Sequence, residues 1–111
     1  MNETTMVRLD DLSGPLRVLR LLAVDFGHLP APELQVSSID PDGLRLSFHD
    51  DLSAFEQWRA ALGIPDAAVS YGEQSAGRTR VLKATVDYAG ATVALIGFSG
   101  IPAAAMAGGA R

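Results

Sequence analysis

Two short glycine turns in the last third of the chain, Ala76-Gly77 within SAGR and Ala89-Gly90, constrain the fold more than any other feature. A two-residue loop fixes which residues of its flanking strands stand opposite each other. With strands at 67–74, 79–88 and 91–98, the first loop sets Tyr71 opposite Leu82 and Val69 opposite Ala84. The second sets Val86 opposite Val93 and Ala84 opposite Leu95. One face then collects Val69, Tyr71, Leu82, Ala84, Val86, Val93 and Leu95. Two independent turns select the same apolar face, and that agreement predicts a three-stranded antiparallel meander.

Upstream, Leu16, Leu19, Leu22, Ala23 and Phe26 recur at helical spacing, with Arg17, Arg20 and Asp25 elsewhere. The pattern predicts a helix over 16–26. Ser13 is its expected cap, Pro15 suits the first turn, Gly27 is the expected left-handed end, and Pro30 forbids resumption. LPAPE is extended, because each proline fixes φ and restrains its predecessor. A hairpin follows, with strands at 34–39 and 44–49 and a DPDG turn at 40–43. Leu44, Leu46 and Phe48 alternate with Arg45, Ser47 and His49, as Leu34 and Val36 do with Gln35 and Ser37.

The stretch RLSFHDDLSAFEQWRAALGIP admits two readings. His49, Asp50 and Asp51 are metal-ligand and acid/base residue types. They also stand where a strand runs into a helix. Ser53-x-x-Glu56 matches a capping box, acidic residues ahead of a helix suit its dipole, and Phe55, Trp58 and Leu62 stripe one face. Gly63 and Pro65 end the helix. The helix reading explains every residue of the stretch except His49.

The resulting order is α-β-β-α-β-β-β. One apolar stripe per helix and one strongly apolar sheet face predict a two-layer α+β domain, an antiparallel sheet with both helices on one face. The domain is expected over 13–99, after a flexible segment at 1–12 and before a loose tail at 100–111. A chain of 111 residues buries about two thirds of its unfolded surface, enough for one core.

Composition excludes several functions. There is no cysteine, so disulfides, cysteine zinc sites and thiol catalysis are absent. The net charge is −4 and Lys83 is the only lysine. Arginines pair only as Arg17/Arg20 and Arg78/Arg80. Nucleic acid, which needs a basic face, is therefore disfavoured as a partner. No signal peptide pattern stands at the start, and no apolar run approaches the ~20 residues a membrane span needs. A cytoplasmic protein is expected. No G-x-S-x-G occurs, and GFSGIP around Ser99 lacks the following helix of a nucleophile elbow. SGP and SAGR lack the spacing of a phosphate loop. The carboxylate pairs Asp40/Asp42 and Asp50/Asp51 fall in turns or caps. No catalysis and no cofactor are expected. A divalent metal would have to draw on His28, His49, Asp50 and Asp25, whose spacing matches no motif.

The opposite meander face collects Val81, Lys83, Thr85, Asp87, Thr92, Ala94, Ile96 and Phe98. Val81, Ile96 and Phe98 are large and apolar, and nothing remains to cover them unless the tail, with Ile101 and Met106, folds back. Such a surface predicts contact with a second copy, giving a homodimer, or with a heterologous protein. The function expected is a non-catalytic protein–protein interaction or regulatory module. The alternatives are a nucleic-acid accessory protein using the local arginine pairs, and a small-ligand or metal-binding domain around His49 and Asp50.

LPAPELQVSSIDPDGLRLSFHDDLSAFEQWRAALGI resembles sequences in a group of small uncharacterised proteins of GC-rich, soil-type bacteria, often encoded near plasmid or integrated mobile-element genes. The likeness spans about 16–98. It implies an accessory or regulatory role and brings no activity and no functional residues.

Overall fold

The computed structural model describes residues 6–101. In chain order these form α1 (Ser13–Asp25), β1 (Glu33–Ser37), β2 (Asp40–His49), α2 (Leu52–Ala61), β3 (Ser70–Gln74), β4 (Thr79–Tyr88) and β5 (Ala91–Gly100). Short 3-10 turns precede α1 at Leu9–Leu12 and β3 at Asp66–Ala68.

The meander has the register its turns dictate. Tyr71 pairs with Leu82, Val86 with Val93, and Ala84 with Leu95. Ala89 and Gly90 both take positive φ, 50° and 94°, the conformation that matches strand twist in a two-residue hairpin loop. The expected strand at 67–74 is shorter. Its first part is the 3-10 turn, and Val69 packs against the core just ahead of β3.

The sheet joins hairpin and meander in the order β1-β2-β5-β4-β3. It is mixed, not antiparallel throughout, because β2 and β5 run parallel, with Leu44 beside Val93 and Leu46 beside Leu95. Chain path explains the correction. After β2, α2 crosses the sheet and delivers the chain to the far edge, so β3, β4 and β5 fold back toward β2. β5 then enters beside β2 in the same direction. Its run ATVALIGF is apolar at alternate and intervening positions alike, as suits a central strand.

Both helices lie on one face, over β2 and β5. The core joins Val18 and Leu22 of α1, Phe55 and Trp58 of α2, Leu44, Leu46 and Phe48 of β2, and Val93 and Leu95 of β5. Phe48 meets Phe55 edge to face, ring centroids 6.2 Å apart. Gly97 admits α2: a Cβ there would stand 3.0 Å from Leu52 Cδ2 and 3.1 Å from Phe55 Cδ2. The Trp58 indole Nε1 donates to the Pro30 carbonyl at 2.8 Å, pinning the extended LPAPE segment across α2.

Several local expectations need correction. The first hairpin turns at Ser38-Ile39, not at 40–43, and Asp40–Gly43 belongs to β2. A turn at 40–43 would set Leu34 opposite His49. The observed register sets Leu34 opposite Leu46 and Val36 opposite Leu44, and a bulge beyond Val36 absorbs the extra residues. Odd shifts of register exchange the two faces of a strand, so core burial outweighs a favourable turn sequence. Ser13 does not cap α1. It is the first helical residue, and its N–H is taken by the Asp10 carbonyl of the preceding 3-10 turn. The buried stripe of α1 is Pro15, Val18 and Leu22, while Leu16 and Ala23 are exposed. Apolar residues occupy much of this helix's circumference, so spacing leaves the rotation open. Gly27 is not left-handed. It is needed because a Cβ would collide with the Ala23 carbonyl oxygen. Gly63, at φ 73°, does take the left-handed end of α2.

Candidate interaction surface

The face of the sheet away from the helices is built in rows by strand register. One row runs Glu33 (β1), Ser47 (β2), Ile96 (β5), Lys83 (β4), Ser70 (β3). The next, toward one end, holds Gln35, Arg45, Ala94 and Thr85. The next, toward the other end, holds His49, Phe98, Val81 and Gly72. No helix among the described residues covers these rows.

The three apolar residues expected here do share one patch, but two are hidden by their neighbours. Val81 and Ile96 are each 7% exposed, and Ser47 is 8%. Phe98 is half-buried. Its ring stacks on His49, centroids 5.0 Å apart and planes 10° apart. Arg45 and Lys83 are exposed and flank Ile96, Lys83 directly across the β4–β5 pair and Arg45 diagonally. Neither meets a carboxylate among the described residues. Together with Val81, Ile96 and Phe98 they line a shallow groove.

His49 and Asp50, the ligand-site candidates, have defined contacts. His49 Nε2 lies 3.1 Å from Glu33 Oε1 across the β1–β2 pair. Asp50 takes φ 56°, donates its N–H to the Phe98 carbonyl at 2.7 Å, and accepts the Gly100 N–H on Oδ1 at 3.2 Å. Its carboxylate thus ties the end of β2 to the end of β5. Asp25 accepts the Tyr88 hydroxyl at 3.0 Å, and that bond raises the phenol's pKa above its usual value. Asp25, His49 and Asp50 therefore serve three separate contacts. No three His, Asp or Glu side chains converge on a metal-sized site among the described residues.

Helix entry is as expected, but its capping is not. Asp51, not Ser53, is the cap of α2, its Oδ1 accepting the Ala54 N–H at 3.0 Å. Glu56 turns away from the helix start and pairs with Arg59, which holds its carboxyl below the usual range. Arg59 also donates to the Ile64 carbonyl and lies 3.3 Å from Asp66, so one guanidinium fastens α2 to the turn before β3.

The arginine pairs do not merge into one basic patch. Arg17 reaches toward the turn at Gly90, at one end of β4, and Arg78 Nε donates to the Ser75 carbonyl at the other end. The two ends of this ten-residue strand lie roughly 30 Å apart. Tyr71, expected in the core, is on the inner face but 59% exposed, because β3 lies beyond the reach of both helices. Ile101 donates its N–H to the Arg78 carbonyl at 2.7 Å, and Met106 lies outside the described residues.

The residues that the linear pattern did not single out are Arg45, Ser47 and Glu33. Only the true β1–β2 register brings Glu33 into the row of Lys83, and that register was hidden by the turn-like DPDG. A second apolar feature lies on the helix side, a groove between Leu19, Phe26, Leu29, Leu34 and Trp58. No protein-family model matches the chain, and neither a curated protein nor a solved structure matches it.

Proposed function

We propose that this chain is a non-catalytic protein–protein interaction module that self-associates through the outer face of its sheet. The supporting observation is the asymmetry of the two layers. Both helices lie on one face, and no described element covers the other, although its centre is apolar and flanked by charge. Interfaces of this mixed composition are common among partners that also exist alone. The resemblance to small proteins of mobile elements adds a regulatory or accessory role in a bacterial cytoplasm. No helix among the described residues is long and apolar enough to cross a membrane.

Native mass spectrometry of the purified protein tests this reading. The expected spectrum is a bare dimer whose share rises with concentration, and which Phe98→Glu reduces to monomer. A bare monomer at every concentration overturns self-association. Extra mass from a divalent ion that His49→Ala removes would favour the ligand-site reading instead.

A further inference from the structure

We propose that two copies pack their outer sheet faces about a two-fold axis running along the strands between β2 and β5, so that Glu33 of each copy meets Lys83 of the other. This rests on the self-association reading and gives it a geometry.

The row Glu33–Ser47–Ile96–Lys83 sets this geometry. A two-fold axis between β2 and β5 exchanges neighbours across it. Ser47 comes opposite Ile96 of the second copy, and one strand further out Glu33 comes opposite Lys83. In the adjacent rows the same operation sets His49 opposite Phe98 and Arg45 opposite Ala94. No row sets like charges face to face. An isologous interface must be complementary to itself in this way. The face carries Arg45 and Lys83 against Glu33 and Asp87, so its charge balances. A balanced face suits a second copy better than a nucleic acid or a strongly acidic peptide.

Geometry agrees. An axis along the strands keeps the strands of the two sheets aligned, the commoner way for sheets to pack. Five strands, the central ones ten residues long, give a face of roughly 20 by 33 Å, close in scale to the ~800 Å² each partner gives to a standard interface. Glu33 and Lys83 are free to re-pair, since Glu33 is exposed and held only by His49, and Lys83 has no carboxylate among the described residues.

Within one copy, three strand spacings separate Glu33 from Lys83, roughly 14 Å. Energetic coupling between them therefore reports contact between copies. The test is sedimentation equilibrium on Lys83→Glu, Glu33→Lys and the double exchange, with circular dichroism confirming that each folds. Each single change is expected to weaken the dimer at least about tenfold, since like charges then face each other twice, and the double exchange to restore it to within about threefold of the original. A dimer indifferent to the single changes overturns this geometry and leaves self-association standing. So does a double variant as weak as the singles. A wild-type chain that never dimerises overturns both.

Discussion

The two faces of the sheet both hide apolar side chains, and they hide them differently. Leu95 and Ile96 are neighbours on the central strand and point to opposite sides. Leu95 is enclosed by packed helices and Ile96 by the arms of surface residues, at 0% and 7% exposure. Burial in one case comes from packed helices, and in the other from neighbouring side chains of the same sheet face. Fractional exposure alone does not distinguish a helix-packed core from a sheet face sheltered by its own side chains.

Emptying both positions tests the difference between the two faces most directly. Leu95→Ala is expected to cost about 3–5 kcal/mol in denaturant unfolding, because helices and strands cannot all collapse into the space. Ile96→Ala is expected to cost about 2 kcal/mol or less, because its cover is made of surface side chains that can settle inward. Equal losses would mean that both faces are enclosed alike. Gly97→Ala tests the covered face from the opposite direction. The added methyl presses on Leu52 and Phe55, for an expected loss of about 1–3 kcal/mol. A neutral result would show that α2 is loosely seated.

Smaller effects sharpen the local picture. Asp51→Ala is expected to cost about 1 kcal/mol by thermal melting, and Ser53→Ala close to nothing. The reverse order would restore Ser53 as the cap. Glu56 offers a pH signature. Its carboxyl titrates below its usual value in the folded chain because of Arg59. The unfolded chain therefore binds more protons in the acid window beneath that usual value. The contribution is complete above the window and is lost as pH falls through the folded pKa. Glu56→Gln should flatten the acid limb of the stability curve slightly, the pair being exposed. An unchanged limb would mean that the pair contributes nothing.

The meander was legible in the sequence because turn and pattern agreed, so that Ala76-Gly77 and Ala89-Gly90 each repeated what the apolar alternation said. The first hairpin was not, because there the signals conflicted. DPDG reads as a turn by local chemistry, yet Leu34 and Val36 reach the core only if the chain turns earlier, at Ser38-Ile39. The rotation of α1 was hidden by an excess of apolar residues and not by a lack of signal. The parallel β2–β5 pair has no local signature, since its members are joined through two edge-directed excursions of the chain. The Glu33–Lys83 row inherits both difficulties, for it exists only once the hairpin register and the sheet order are known.

The position of β5 carries a consequence for how the chain becomes a protein. The last strand of the described residues is the middle strand of the sheet, and it joins the β1–β2 pair to the β3–β4 pair. As the polypeptide is synthesised, Leu44, Leu46 and Phe48 must wait for a strand about fifty positions downstream before their shared edge is closed. Contacts so distant in sequence form slowly. Late, concerted assembly is the expected outcome of this topology. A fragment ending at Tyr88 should show no cooperative melting transition, and a nascent chain should resist proteolysis only after Gly100 has left the ribosome.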